Sequence, residues 1–154
     1  MAPKNHRLLS FLIGGVILTI VSCEAPSSSQ VQLTLPGGIW EQSNILNLSL
    51  PVPDTSARYD AFLDLRLTTG YAYSYLSISL NRSGKRDTLW LSLVGQEEIS
   101  SGPFTDYRFA VDTTGFSANY AVLNWHLSHY MQEQKLAGVA MIGLLIKKHG
   151  HGKR

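Results

Sequence analysis

Apolar and polar side chains alternate one by one along most of this chain. The alternation is clearest in residues 46–50, 59–68, 71–80, 89–93 and 107–111, where an apolar residue recurs at every second position. Successive side chains of a β-strand point to opposite faces of a sheet, so a period of two predicts strands with one buried face. Antiparallel sheets typically show this pattern.

Turn residues separate these runs. Glycine, proline or both occur at 36–38, 51–54, 69–70, 83–85, 101–103 and 114–115. Residues 81–86 lie between two apolar runs and predict a hairpin loop. Short strands with frequent turns predict an all-β fold, a single antiparallel β-sandwich of jelly-roll type, over residues 31–148.

Two segments are harder to assign. Residues 119–131 are compatible with a helix or a strand, and their β-branched and aromatic side chains favour a strand. Residues 136–146 are apolar on both faces, which predicts a buried central strand.

The N-terminus has the layout of an export signal. Lys4 and Arg7 precede an apolar stretch at 8–21, which is followed by Ser22 and Cys23. The stretch is short for a membrane-spanning helix, which needs about 20 residues. Residues 20–23 resemble a bacterial lipobox, a signal in which the chain is cut before the cysteine and its sulfur is joined to diacylglycerol.

Cys23 is therefore the predicted lipidation site. Residues 1–22 are the predicted cleaved signal peptide, and 23–30 the lipidated cysteine with a polar tether. The alternative is a plain secretory signal with an incidental cysteine. A single free thiol in an exported protein invites oxidation or wrong pairing, which favours lipidation, with acyl chains such as palmitate inserted into a lipid bilayer.

Charge and cysteine usage exclude several classes of function. Without Lys4 and Arg7 the chain has 11 basic and 11 acidic residues, and four of the basic residues lie in the last eight positions. The body of the domain is therefore acidic, which argues against nucleic-acid binding. With its only thiol consumed, the mature chain has no disulfide, zinc–cysteine site or cysteine nucleophile. We expect no cofactor, no metal, and a basic mobile tail at 149–154.

Three tyrosines form the candidate interface. Tyr71, Tyr73 and Tyr75 share one face of the predicted strand 71–80, and Ala72, Leu76, Ile78 and Leu80 share the other. One interpretation places the tyrosines in the core or in cross-strand pairs. The other makes them an exposed surface that meets a protein or stacks on sugars, with the tryptophans Trp40, Trp90 or Trp125 as further platforms.

Catalytic patterns are weak. The chain lacks a Gly-x-Ser-x-Gly nucleophile motif, and we expect Asp60, Asp64 and Arg66 to form a solvated or paired surface rather than a glycosidase site. On a strand His126 and His129 point to opposite faces, which prevents them from sharing a metal. The sequence thus predicts a protein that is not an enzyme.

Several stretches, taken in order, resemble the GldH-type gliding-motility lipoproteins of Bacteroidetes. The likeness runs from about Trp40 to Lys148 and rests on these residues: Trp40; 52–55 followed by Tyr59; Leu65 and Arg66 followed by 71–76; 85–89; Tyr120; 136–139; and 142–146. The departures are Ala72 where proline is usual, Tyr75 where asparagine is usual, and 131–133 in place of a Met-Arg segment.

The resemblance implies an anchored envelope protein linked to gliding and to type IX secretion. Its expected partners are other envelope motility or secretion proteins, reached by protein–protein contact. Residues 24–26 lack the acidic run of surface-export signals, which favours the outer membrane with the domain facing the periplasm. The alternative from the residues alone is a glycan-binding envelope lipoprotein that uses its aromatic side chains.

Overall fold

Residues 26–150 of the chain are described by a computed structural model. They form eleven strands and one short 3-10 turn at Pro36–Gly38. The strands are β1 (Ser28–Thr34), β2 (Ile39–Glu41), β3 (Leu46–Pro51), β4 (Arg58–Thr68), β5 (Tyr75–Arg82), β6 (Lys85–Ser92), β7 (Glu98–Ser101), β8 (Phe104–Ser117), β9 (Val122–His129), β10 (Lys135–Ala137) and β11 (Val139–Lys148).

The strands form two main sheets and a small ribbon. The first sheet has the order β1-β11-β4-β8-β7, the second has the order β3-β9-β5-β6, and β2 pairs with β10. Neighbouring strands pair antiparallel throughout. The predicted all-β sandwich is confirmed. In the part of the chain that the structure describes, no helix is long and apolar enough to cross a membrane.

The core lies between the two main sheets and is filled by the apolar half of each alternating strand. In β4 the odd-numbered residues from Tyr59 to Leu67 are all buried, while Asp60, Phe62 and Arg66 lie on the outer face. The facing sheet contributes Leu76, Ile78 and Leu80 of β5 and Leu127 of β9, each no more than 1% exposed. The period of two is therefore the pattern that fills this core.

The two ambiguous segments are both strands. Residues 122–129 form β9 in the middle of the second sheet. The apolar run near the C-terminus is divided by Gly138 into β10 and β11, and β11 lies between β1 and β4. Its burial on both faces, with Leu144, Leu145 and Ile146 at 5% exposure or less, explains why polar residues are missing there.

Three local features are confirmed or corrected. The loop at 81–86 is a two-residue turn, with Ser83 and Gly84 at φ values of 51° and 80°, which matches the twist of a hairpin. Residues 71–74 were predicted as strand and are not, because the amide of Tyr71 turns back to the carbonyl of Thr68 at 3.1 Å. Ala72 is consequently exposed and does not join the core.

Strand β1 begins at Ser28, three residues before the predicted start of the domain. Residues 28–30 are polar, but their backbone pairs with Leu145–Lys147, and this pairing outweighs their composition. Cys23, the predicted signal peptide and residues 151–154 lie outside the described residues, and the domain division of the chain stays a prediction.

The sandwich has two distinct ends. Strand β1 starts at the proximal end, which also contains the end of β11, the loop 52–57, the β5–β6 turn and residues 117–122. The distal end contains residues 35–45, 68–75, 93–103 and 130–138. Strand β4 runs from one end to the other in 11 residues, so the two ends are about 35 Å apart.

Candidate docking surface

A row of four aromatic rings lies at the distal end. The ring centroids of Tyr71 and Tyr73 are 5.8 Å apart and those of Tyr73 and Tyr75 are 6.1 Å apart, both in edge-to-face geometry. Tyr75 then stacks on Trp90, with a centroid distance of 4.0 Å and an interplanar angle of 10°. We call Tyr71, Tyr73, Tyr75 and Trp90 the aromatic row.

The backbone and two hydroxyl bonds fix the row. The Tyr71 hydroxyl donates to the carbonyl of Tyr75 at 2.6 Å, and the Tyr73 hydroxyl donates to Glu133 at 2.5 Å. The backbone of Tyr71 packs directly against Gly138, where a Cβ would lie 2.5 Å from the Tyr71 nitrogen. Tyr71 and Tyr73 thus keep one arrangement although both precede the regular strand, which begins at Tyr75.

The hydroxyls of Tyr71 and Tyr73 stay protonated. Burial raises the pKa of Tyr71 well above its ordinary value, with smaller contributions from the neighbouring tyrosines. The pKa of Tyr73 is also raised, chiefly because its hydroxyl donates to the Glu133 carboxylate. At neutral pH Tyr71 and Tyr73 therefore present uncharged rings.

The tyrosines are half-buried and pack against the core, whereas Trp90 is 66% exposed. The other two tryptophans are core residues, with Trp40 at 0% and Trp125 at 3% exposure. Their predicted role as sugar-stacking platforms is therefore wrong, because inward-facing positions of β2 and β9 place them between the sheets. Among the tryptophans only Trp90 faces solvent.

Exposed apolar side chains concentrate at the same end. Of the eight large exposed apolar residues among residues 26–150, six lie in the distal half: Ile39, Ile45, Trp90, Val94, Ile99 and Tyr130. The other two, Tyr120 and Val122, lie at the proximal end. An end rich in exposed aromatic and aliphatic side chains has the composition of a protein-contact surface.

Charged residues on the outer face of β4 and β8 are paired with one another. Arg108 donates to both oxygens of Asp64 at 2.6 and 2.9 Å, and Gln30 donates to the same carboxylate at 2.7 Å. Arg66 pairs with Asp106 through two bonds of 2.7 Å, which lowers the pKa of the Asp106 carboxyl. These pairs line a surface groove of about 570 Å³.

The remaining candidate acid lies elsewhere. Asp60 bonds the ring of His149 at 2.7 Å at the proximal end. The carboxylates of Asp60 and Asp64 therefore each have a structural partner. They do not face each other across a cleft, as the two carboxylates of a glycosidase site do.

The two internal histidines are separate. His126 bonds the Asn47 side chain at 2.5 Å on the outer face, and His129 is 1% exposed beneath the edge of Trp40, with ring centroids 5.3 Å apart. Within residues 26–150 no group of three metal-ligating side chains is found.

Burial lowers the pKa of His129. The backbone of Trp40 and Gln134 approaches the ring and favours the charged form, but less strongly than burial opposes it. Neither ring nitrogen makes a hydrogen bond with a described residue. We regard this histidine as a neutral core residue.

Sequence reasoning identified the three tyrosines but missed their extension. Trp90 occupies the polar phase of the run 89–93, opposite Leu89 and Leu91, and this phase predicts an outward-facing ring. The stack on Tyr75 depends on the register of β5 with β6, which places Trp90 opposite Ser77. No local sequence pattern specifies this register.

The chain is similar to a known protein family. A family model described as GldH lipoprotein matches residues 29–146. No curated protein matches the chain.

Solved structures are only distantly similar. Dimeric latent PorU from Porphyromonas gingivalis is 11% identical, with a TM-score of 0.44 over 81% of this chain and 13% of that chain. The coat protein dimer of Tobacco streak virus is 12% identical, with a TM-score of 0.31 over 86% of this chain and 94% of that one. Likenesses this distant support no conclusion about function.

Proposed function

Because the chain belongs to the GldH lipoprotein family, which makes it a gliding-motility-related lipoprotein, we propose how it acts. It is a non-enzymatic protein of the cell envelope, held through acyl chains on Cys23 at the outer membrane with its domain in the periplasm. It works by contact with other envelope proteins in an assembly that serves gliding motility or type IX secretion. The anchor confines the domain to a plane and so raises its effective concentration for membrane partners.

The position of the aromatic row supports this proposal. Cys23 lies five residues before Ser28, where β1 starts at the proximal end, whereas the aromatic row lies at the distal end. An anchored domain would therefore present Trp90 and its exposed apolar neighbours away from the bilayer. This arrangement suits recruitment of a partner protein.

The shape of the row favours a protein partner over a sugar. Tyr71 and Tyr73 are half-buried and each contacts a neighbouring tyrosine edge to face, and Tyr75 uses one face to stack on Trp90. A sugar needs an open ring face, and Trp90 is the one ring of the row with most of its surface exposed. Glycan binding is therefore the second candidate, centred on Trp90 alone.

The anchor is tested by fractionation. We expect Cys23→Ala to leave the sandwich folded, because Cys23 precedes β1, and to move the protein from the membrane to the soluble fraction. Mass spectrometry of the N-terminal peptide should show acyl groups on the wild type. Unchanged membrane retention without acyl mass would refute the anchor.

The docking surface is tested by cross-linking in cells. Trp90→Ala should abolish co-purification of envelope proteins, whereas Tyr120→Ala, which removes an equally exposed ring from the proximal end, should not. Binding to a defined polysaccharide that is lost in Trp90→Ala, without captured protein, would instead favour the glycan-binding candidate. Equal capture by both variants would overturn a distal docking surface.

A further inference from the structure

Charge is distributed unevenly along the strands of the sandwich. The distal end carries four glutamates, Glu41, Glu97, Glu98 and Glu133, and one lysine, Lys135. The Asp64–Arg108 and Arg66–Asp106 pairs lie between the two ends and cancel. The distal end is therefore negative by three charges.

The proximal end has the opposite sign. Six basic residues lie there: Arg58, Arg82, Lys85, Arg86, Lys147 and Lys148. They outnumber the four acidic residues Asp54, Asp60, Asp87 and Asp112, so this end is positive by two charges. The predicted mature sequence outside the described residues adds Glu24 beside the anchor and Lys153 and Arg154 near the C-terminus, which is one more net positive charge.

Each acidic side chain at the proximal end already has a basic partner. Lys148 lies 3.2 Å from Asp54, His149 lies 2.7 Å from Asp60, and Arg82 bridges Asp87 and Asp112 at 3.3 and 2.9 Å. These pairs offset the negative charge of the four carboxylates. Arg86 and Lys147 are exposed, and neither pairs with a carboxylate among residues 26–150, so they carry the excess charge. The Lys147 ammonium lies 5.7 Å from the centroid of the Phe62 ring.

The length of the tether places this end near a bilayer. Cys23 lies five positions before Ser28, and a fully extended chain over those five steps spans at most about 17 Å. The distal end lies about 35 Å farther along the strands. A domain anchored at Cys23 therefore either stands upright on its proximal end or lies on one face of a sheet.

We propose that the proximal end is a binding surface for anionic phospholipid, which holds the anchored domain upright with its strands along the membrane normal. This inference rests on the proposed lipid anchor and adds an orientation to it. Basic residues near an anionic surface are attracted to it, whereas the glutamates of the distal end are repelled.

The chain offers a direct measurement of orientation. Cys23 is its only cysteine, and acylation blocks the sulfur, so one introduced cysteine can be labelled alone. Asn119→Cys places a fluorophore at the proximal end and Ser43→Cys places one at the distal end, both at exposed positions. The acylated protein is reconstituted in nanodiscs that contain a lipid-borne quencher.

In nanodiscs of phosphatidylglycerol we expect the proximal label to be quenched several-fold more than the distal label. The difference should shrink in phosphatidylcholine and at high salt, because screening weakens attraction to headgroups. Equal quenching of both labels in phosphatidylglycerol would overturn the upright orientation. Loss of acyl mass from Cys23 would instead refute the anchor, so the two failures are distinguishable.

Charge reversal gives the matched control. Arg86→Glu and Lys147→Glu each remove a proximal positive charge, and Lys135→Glu makes the same change at the distal end. We expect each proximal variant to lower quenching of the proximal label in phosphatidylglycerol, and Lys135→Glu to leave it unchanged. Equal effects of all three variants would show that total charge, not the proximal surface, sets the orientation.

Discussion

The guanidinium of Arg108 donates to both carboxylate oxygens of Asp64, at 2.6 and 2.9 Å, across the neighbouring strands β8 and β4. Asp64 is 7% exposed although it lies on the outer face of its sheet. Gly143 stands between Asp64 and Gln32 in the register, where a Cβ would lie 3.1 Å from Gln32 Cγ and 3.4 Å from Asp64 Cβ. Gln30 of β1 donates to the same carboxylate at 2.7 Å. Three strands are thus tied together around one buried charge.

Removal of this arginine should be costly. Arg108→Ala leaves the buried Asp64 carboxylate with Gln30 alone, and we expect the free energy of unfolding to fall by about 1.5–3 kcal/mol. Arg66→Ala is the matched control, because Arg66 and Asp106 are 40% and 29% exposed, and its loss should be below about 1 kcal/mol. Urea denaturation of both variants measures the difference. Equal losses would show that burial of Asp64 adds no cost.

Gly138 should tolerate no side chain. Its φ is 88°, and a Cβ would lie 2.5 Å from the backbone of Tyr71, so Gly138→Ala combines backbone strain with overpacking. We expect a loss of about 2–4 kcal/mol. Gly37→Ala, at a φ of 65° with nothing within 4 Å, isolates the strain and should cost about 1 kcal/mol. Thermal melts of the two variants compare them, and equal losses would exclude the close approach as the cause.

His129 should make the domain sensitive to acid. Burial lowers its pKa in the folded state, so below the ordinary value of about 6.5 the unfolded chain binds a proton that the folded chain does not. Stability should therefore fall as pH drops below about 6.5, by at most about 1.4 kcal/mol per pH unit.

The comparison of His129→Phe with His126→Gln tests this prediction. His129→Phe should remove the His129 contribution, and since neither ring nitrogen bonds a described residue it should cost little at neutral pH. His126→Gln, at an exposed position, should keep the acid sensitivity. Urea denaturation at a series of pH values gives the slopes. An unchanged slope in His129→Phe would assign the acid sensitivity to other groups.

The three tryptophans should behave differently in fluorescence. Trp90 is 66% exposed and should account for nearly all quenching by acrylamide, so Trp90→Phe should leave an emission that acrylamide barely reaches. Trp40→Phe should keep the quenchable emission.

Trp40→Phe should also lower the unfolding free energy by about 1–3 kcal/mol, because it opens a cavity and leaves the Asn44 carbonyl without its 2.9 Å bond. Trp90→Phe should change stability far less. Strong quenching that persists in Trp90→Phe would place a second tryptophan at the surface.

Local patterns were sufficient to predict most strands. The alternation from Tyr59 to Thr68 gave β4 with its buried face, and the turn at Ser83 and Gly84 joined β5 to β6. Both depend on neighbours in sequence. Residues 71–74 were assigned wrongly because tyrosines at 71, 73 and 75 continue the alternation, while Gly138, 67 residues beyond Tyr71, packs on the backbone of Tyr71.

The side-chain pairs on the surface depend on the register between strands and could not be predicted from local sequence. The Asp64–Arg108 pair joins residues 44 apart, and the Tyr75–Trp90 stack requires one specific alignment of β5 with β6. A shift of one residue would turn each of these side chains to the opposite face. The opposite charge of the two ends likewise becomes visible only once the strand directions are known.

The pairing of β1 with β11 determines how the domain would respond to a pull on its N-terminus. Seven residue pairs join the strands, from Ser28 opposite Lys147 to Thr34 opposite Met141. If the N-terminus is held at the membrane and a partner is bound at the distal end, tension between the two acts along the axis of β1. The backbone hydrogen bonds between the two strands are then loaded together, in shear, instead of breaking one after another. The same edge strand that emerges beside the anchor is thereby suited to transmit mechanical force.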